Sequence, residues 1–126
     1  MSRAVYDAGV LVAADRGDRR VWLKHRARLM QKIVPLVPAL VVAQVSRSPR
    51  QALLRRFLAG CHIAPMGERE AHEAGRLLGQ SRTADVVAAS VVAVAIRYRA
   101  VIVTGDVADR DRLVAAAGGG VGVVSL

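Results

Sequence analysis

Short apolar runs alternate with longer amphipathic segments along the whole chain. The runs have strand length and predict β-strands at residues 3–6, 33–37, 101–104 and 121–124, with a weaker candidate at 62–64. The segments between them predict helices at 8–14, 19–32, 39–47, 48–60, 66–78, 84–97 and 106–117. This alternation is typical of an α/β protein, in which a central, mainly parallel sheet lies between two helical layers. Neither a repeat nor a linker interrupts it, so we expect a single domain over residues 1–126.

Three segments add detail to this picture. Pro49 suits the first turn of a helix, and Gly60 is a typical helix end, so we expect one helix between them. The segment 84–97 is apolar nearly all round, which is typical of a helix packed deep in a layered domain. The glycine-rich segment 118–122 has no following helix to hold a phosphate, so we expect a flexible turn into an edge strand.

Composition excludes several classes of protein. Of the 126 residues, 53% are hydrophobic and mean hydropathy is +0.31, which excludes a disordered chain. Aromatic residues make up only 3%, so the chain has few side chains that could stack on nucleic-acid bases, as RRM domains and OB-folds do. The single cysteine, Cys61, excludes disulfide scaffolds and cysteine-based zinc sites. No apolar run reaches the length of a membrane span and no leader opens the chain, so we expect a soluble, cytoplasmic protein.

The charge balance points to an anionic partner. The chain has 19 Lys and Arg against 10 Asp and Glu, a formal net charge of +9, and every cation except Lys24 and Lys32 is arginine. Such a field attracts polyanions, and the guanidinium fork binds phosphate in two places. Nucleic acid is therefore the leading partner class, and an acidic protein segment is the next. The alternative is that the arginine content reflects genomic base composition.

Aspartates follow the predicted strands, where the chemistry of an open parallel sheet collects. Asp7 ends the first strand, and Asp106 follows the strand at 101–104 after one glycine. Asp85 lies in the first turn of the apolar helix, and Asp109 can share a helix face with Asp106. Carboxylates brought together at one edge repel unless a cation joins them, and oxygen ligands suit Mg²⁺ or Mn²⁺. We therefore expect a metal site there.

Each of these aspartates also has a purely structural interpretation. Asp is a favoured N-cap, so Asp7 and Asp106 can simply cap the helices that follow them. Asp85 can complement the dipole of its helix. The metal interpretation is favoured by their joint occurrence at one edge of a basic protein and not by any one of them alone.

Three segments, in their order and spacing, resemble the PIN-domain ribonucleases: residues 5–11, the helix start at 83–87, and the strand end at 101–106. Within that family the chain is most similar, over essentially its full length, to the VapC toxins of bacterial toxin–antitoxin pairs. The resemblance implies a PIN-like fold, Mg²⁺-dependent endoribonuclease activity and a homodimer. It also implies an antitoxin whose tail covers the basic groove and the acidic pocket. Of the family's four acids, Asp7 matches the first and Asp106 the last.

Two positions depart from the family pattern. Gln44 stands where the resemblance implies a glutamate, and it can offer a carbonyl oxygen but no charge. The third acid is expected at the position of Ala88, one helical turn after Asp85, so that Asp85 either substitutes for it or supports another ligand. These departures favour a second hypothesis, in which the domain binds RNA or an antitoxin without cleaving.

The leading hypothesis is metal-assisted hydrolysis of RNA phosphodiester bonds. We expect Asp7 and Asp106 to ligate the metal, and Asp85 and Asp109 to support them. Thr104 either orients Asp106 through its hydroxyl or is an ordinary strand residue. Four arginines are candidates for the RNA backbone, or else form a solvated helix face: Arg47, Arg50, Arg55 and Arg56.

The remaining chemistry-bearing residues are assigned to packing or surface. The histidines His25, His62 and His72 have no mutual spacing for metal binding or acid–base pairing. Cys61 is expected to be a small buried apolar group. A third hypothesis, a phosphotransfer receiver domain, also places aspartates at strand ends but needs a late lysine, and the last lysine here is Lys32.

Overall fold

The computed structural model of the chain describes residues 3–126, in which helices and strands alternate as the pattern predicts. The strands are β1 Arg3–Tyr6, β2 Leu36–Pro38, β3 His62–Ala64, β4 Ala100–Thr104 and β5 Val123–Ser125. The helices are α1 Ala8–Asp15, α2 Arg19–Met30, α3 Ala39–Val45, α4 Ala52–Ala59, α5 Glu68–Ser81, α6 Val86–Tyr98 and α7 Val107–Ala116.

The strands form one sheet in the order β3-β2-β1-β4-β5, and all its described pairings are parallel. β1 lies at the centre, where Val5 is in register with Leu36 on one side and Ile102 on the other. A receiver domain has the order 2-1-3-4-5, in which the first strand pairs with the third. Here β1 pairs with β4 instead, so the receiver hypothesis is wrong.

Helices cover both faces of the sheet. α1, α2 and α4 pack together, as do α5, α6 and α7, while α1 and α6 both contact β1 and β4. This division follows from right-handed crossovers, because connections that step in opposite directions along a parallel sheet lie on opposite faces. The predicted three-layer α/β/α architecture is confirmed.

The apolar helix α6 lies in the core, as its composition predicts. Its residues 88–95 are all buried, and the helix contacts β1, β2 and β4 across the middle of the sheet. Small and β-branched side chains allow this close approach, because aromatic residues are few and the core is made mainly of Val, Ala and Leu.

The predicted helix start at Ser48-Pro49 is wrong, because side-chain oxygens accept hydrogen bonds from the backbone amides there. The Gln51 Oε1 accepts the amides of Arg47 (2.6 Å) and Ser48 (3.0 Å), and the Ser48 hydroxyl accepts the amide of Arg50 (2.9 Å). These local bonds compete with helix formation and favour a turn. α4 therefore begins at Ala52.

The strand predicted at 33–37 is shorter for a similar reason. Lys32 adopts a left-handed conformation (φ 62°), and the Ile33 amide returns to the Arg28 carbonyl (2.9 Å) to terminate α2. Ile33 thus belongs to the end of a helix, and β2 starts only at Leu36. The strands predicted at 3–6 and 62–64 match the structure, and the other predicted elements differ from it by at most three residues at either end.

The glycine-rich segment forms the predicted turn into an edge strand. Gly118, Gly119 and Gly120 all have positive φ (99°, 77° and 90°), a conformation that other residues rarely adopt. β5 follows at one edge of the sheet. Among the described residues, none of the helices is by itself long and apolar enough to cross a bilayer.

Candidate functional site

β1 and β4 run side by side and end at the same edge of the sheet. Tyr6 is in register with Val103, and the Asp7 amide donates to the Val103 carbonyl (3.0 Å). Asp7 therefore leaves the sheet beside Thr104, the last residue of β4. This is the carboxyl edge, where open parallel sheets hold their ligands.

Asp7 is buried and fully engaged by donors. Only 2% of its surface is exposed. Its Oδ1 accepts the Ala8 amide at 2.8 Å, and its Oδ2 accepts the Thr104 hydroxyl and the Arg110 Nε–H, each at 2.7 Å. A buried carboxylate is tolerated only with such donors and a counter-charge, and Asp7 has both.

Arg110 is the counter-charge, and it links the carboxylates of this edge. Its guanidinium pairs with Asp7 through Nε and with Asp109 through a terminal nitrogen, and only 13% of the side chain is exposed. Burial lowers the pKa of Arg110, but the hydrogen bond and charge of Asp7 and the charges of Asp109 and Asp85 raise it more. The pKa therefore lies above its usual value, and three aspartates act on one cation.

Thr104 positions Asp7 and not the Asp106 carboxylate. Its hydroxyl donates to Asp7 Oδ2 and accepts the backbone amide of Asp106 (3.0 Å). Of the two alternatives expected for Thr104, the structure therefore has the hydroxyl hydrogen bond to Asp106, but this bond is to the main chain of Asp106. One hydroxyl fixes both the first aspartate of the site and the turn that leads to the last.

The structural interpretation of the aspartates is confirmed alongside this convergence. Asp7, Asp85 and Asp106 are the N-caps of α1, α6 and α7, and their Oδ1 atoms accept the amides of Ala8, Ala88 (3.0 Å) and Asp109 (3.2 Å). Asp85 and Asp106 are exposed, and their hydrogen bonds to the helix amides are those of ordinary N-caps. Capping does not account for the burial of Asp7 or its contact with Arg110.

The carboxylates suit a cation, and in this conformation that cation is a guanidinium. The described hydrogen bonds of the Arg110 side chain go to carboxylate oxygens, the ligand atoms that Mg²⁺ or Mn²⁺ also prefers. Yet among residues 3–126 no three His, Cys, Asp or Glu side chains are grouped so as to hold a metal ion. The metal site therefore stays a prediction.

Gln44 and Ala88 do not join this group. Gln44 is exposed on α3, and in the part of the chain described it makes no side-chain hydrogen bond to the aspartates. Ala88 is 1% exposed in the first turn of α6, where its side chain packs in the core and its amide is capped by Asp85.

The four candidate RNA-binding arginines are exposed, but they do not share one environment. The Arg47 guanidinium donates to the carbonyls of Ala43 (3.0 Å) and Ser46 (2.9 Å), so it caps the end of α3. Arg56 lines a groove between α2 and α4 together with Trp22. Arg50 and Arg55 lie exposed on the turn before α4 and on α4 itself.

The histidines and the cysteine have the packing and surface roles predicted for them. His25 is buried, and its Nδ1 lies 2.9 Å from the Tyr6 hydroxyl, while His62 and His72 are exposed. Cys61 is partly buried, and burial raises its pKa to about 12. None of these residues reaches the Asp7 edge.

Sequence reasoning missed Arg110. It lies four residues after the N-cap Asp106, close to the positive end of the α7 dipole, where a cation is unfavourable without a partner. An arginine at that position was the available signal. Its partner Asp7 lies 103 residues away in the sequence, so spacing did not connect them.

Comparison with known proteins shows the fold. No protein-family model matches the chain, and no curated protein matches it. A chain in the crystal structure of VapBC2 from Rickettsia felis, bound to a DNA fragment from their promoter, superposes with a TM-score of 0.74 at 17% identity and covers 98% of both chains. A chain in the structure of FitAB bound to IR36 DNA has a TM-score of 0.62 at 16% identity, over 97% of this chain and 94% of that one. The chain thus has the PIN-like fold of these neighbours.

Proposed function

We propose that this chain is the toxin of a type II toxin–antitoxin pair and a metal-dependent endoribonuclease. The observation that carries the proposal is the contact of the Asp7 and Asp109 carboxylates with one cation, Arg110, at the carboxyl edge of the sheet. The shared fold with chains of the VapBC2 and FitAB complexes supports the assignment to such a pair. The charge of +9 supports an RNA substrate.

Each residue of the site has a definite task in this proposal. Asp7 and Asp106 hold Mg²⁺ or Mn²⁺, with Asp85 and Asp109 in support. The ion, when bound, supplies an activated water and neutralises charge on the leaving oxygen. Thr104 keeps the Asp7 carboxylate in one orientation through its 2.7 Å hydrogen bond. Exposed arginines bind backbone phosphates, which positions RNA without reading its sequence.

Cleavage is tested with the purified full-length chain and a mixed-sequence RNA. We expect cleavage with Mg²⁺ or Mn²⁺, none with EDTA, and loss of cleavage in Asp106→Asn. Asp111→Asn is the matched control, because Asp111 is exposed on the same helix and the substitution changes the charge equally. Equal cleavage by the two variants, or cleavage unaffected by EDTA, contradicts the proposal.

A second candidate function is binding of RNA or antitoxin without cleavage. Gln44 and Ala88 remove two of the expected charges, and Arg110 already neutralises Asp7. RNA binding measured by fluorescence anisotropy, with intact RNA after incubation with Mn²⁺, supports this candidate. It also predicts that Asp106→Asn binds RNA as well as the unmodified chain.

The groove between α2 and α4 suits an acidic, amphipathic antitoxin segment. Leu23 is 54% exposed there beside Trp22 and Leu29, which leaves an apolar floor without cover in the described chain. Three arginines border this floor: Arg19, Arg26 and Arg56. Apolar contact in the centre with cations at the rim is the usual arrangement of a protein interface.

The groove is tested by charge reversal. Arg26→Glu should weaken capture of the antitoxin, whereas Arg69→Glu, an exposed arginine on α5, should leave it unchanged. Equal capture by both variants contradicts this docking site.

We also propose that the chain forms a homodimer. Light scattering of the chain at several concentrations tests this proposal.

A further inference from the structure

Arg110 binds the same Asp7 carboxylate that the proposed metal ion would need. Asp7 Oδ2 has two lone pairs, and they are taken by the Thr104 hydroxyl and the Arg110 Nε–H, each at 2.7 Å. Asp7 Oδ1 is turned to the Ala8 amide. An ion that binds Oδ2 must therefore displace either a short, buried hydroxyl bond or the guanidinium.

Of the two donors to Asp7 Oδ2, the guanidinium is the easier to displace. Arg110 lies near the N-terminus of α7, where the helix dipole opposes a cation, so the carboxylates alone hold it there. Its side chain is long and partly exposed, at 13%, which leaves it a path to solvent. The Thr104 hydroxyl, by contrast, belongs to a buried strand residue that is only 1% exposed, so it has no path to solvent.

We propose that Arg110 is a built-in competitor of the divalent ion, so that metal binding through Asp7 Oδ2 requires the guanidinium to leave. The inference rests on the proposed function, because it concerns the metal invoked there. In this arrangement a divalent ion binds Asp7 Oδ2 only when it displaces the Arg110 guanidinium. Metal affinity is then set by Arg110 as much as by the number of acids.

Arg112 provides a matched control. Both arginines lie on α7 and pair with Asp109, and replacing either by glutamine removes one positive charge. Arg112 is 78% exposed and, in the described chain, does not contact Asp7. A general charge effect therefore appears in both variants, whereas competition at Asp7 appears only in Arg110→Gln.

The experiment titrates Mn²⁺ into the full chain and follows the free ion by electron paramagnetic resonance. We expect Arg110→Gln to bind Mn²⁺ about tenfold more tightly than the unmodified chain, because one charge-assisted hydrogen bond no longer has to be broken. Arg112→Gln should stay within about threefold of it, as expected for an exposed pair. Adding Asp7→Asn to Arg110→Gln should abolish the gain. Equal affinities of the two single variants overturn the inference.

A second measurement uses the unmodified chain, in case Arg110→Gln does not fold. The Nε–H resonance of Arg110, held by Asp7, should shift and exchange faster with water as Mg²⁺ is added. A resonance that stays unchanged throughout the titration overturns the inference.

The outcomes separate this inference from the proposed function. If the chain cleaves RNA in a metal-dependent way but Arg110→Gln gains no affinity, the inference fails and the nuclease stands. If Arg110→Gln gains affinity for Mn²⁺ and no form of the chain cleaves RNA, the inference stands and the nuclease proposal fails.

Discussion

Tyr6 and Asp7 are consecutive residues, both buried and both polar, yet they belong to two different regions. The Tyr6 hydroxyl lies 2.9 Å from His25 Nδ1 and accepts a hydrogen bond from Arg28 (3.1 Å). Phe57 stacks on both rings, with centroids 5.4 Å from Tyr6 and 4.0 Å from His25. Asp7 instead meets Thr104, Arg110 and the charges of other aspartates.

The difference shows that a buried polar group alone does not mark a site. The Tyr6 region is a satisfied network: burial raises the pKa of Tyr6 to about 12, and burial followed by the charge of Arg28 lowers the pKa of His25. Both groups are therefore neutral near pH 7. The Asp7 region gathers carboxylates around one cation, so that removing one partner leaves the other charge uncompensated. Like-charge convergence is the functional signal.

The largest effect should come from removing the Asp7 carboxylate. Asp7→Ala leaves the largely buried Arg110 guanidinium and the Thr104 hydroxyl without their main partner, which should cost about 3 kcal/mol of unfolding free energy. Urea denaturation measures this. Asp111→Ala, exposed on α7, is the control and should change stability by less than about 0.5 kcal/mol. Equal losses of unfolding free energy in both variants contradict the claim that the buried contacts of Asp7 stabilise the fold.

Tyr6→Phe should have the next largest effect. It leaves His25 Nδ1 and the Arg28 guanidinium without the hydroxyl, at a cost of about 1–2 kcal/mol in unfolding free energy. Metal affinity and RNA cleavage should not change, because the hydroxyl belongs to the other region. A parallel loss of cleavage in the folded variant shows that the two regions are coupled.

A smaller effect should appear as a pH dependence of stability. His25 has a usual pKa of 6.5 when unfolded and a lower pKa when folded, so the unfolded chain takes up more protons below pH 6.5. Stability should be complete above that pH and decrease as pH falls through the folded pKa. Denaturation between pH 5 and 7.5 should show a steeper slope for the unmodified chain than for His25→Gln. The same slope in both assigns the effect to other groups.

The smallest effect should come from an exposed pair outside both regions. Glu70 and Arg97 join α5 to α6 at 2.6 Å on the surface. Glu70→Gln should lower the melting temperature less than any substitution above, and added salt should reduce the difference further. A shift as large as that of Asp7→Ala contradicts the ranking by burial.

Local rules account for most of the fold. Strand and helix alternation, the apolar α6 and the glycine turn depend on neighbours in sequence, so pattern reasoning predicted them. Where it failed, a side chain had an equally local alternative. The Gln51 side chain accepts the Ser48 amide in the turn, and the helix therefore begins four residues later than predicted, at Ala52.

The site was predictable only in part. Asp7, Asp85 and Asp106 stand at strand and helix ends, and the common edge follows from parallel topology, so sequence alone determined which aspartates to consider. The long-range contacts of Asp7 were decided by tertiary structure. Arg110 reaches Asp7 across 103 residues, and the Thr104 hydroxyl donates a hydrogen bond to Asp7 across 97. Which donors satisfy a buried carboxylate depends on packing in three dimensions, and no periodicity along the chain encodes it.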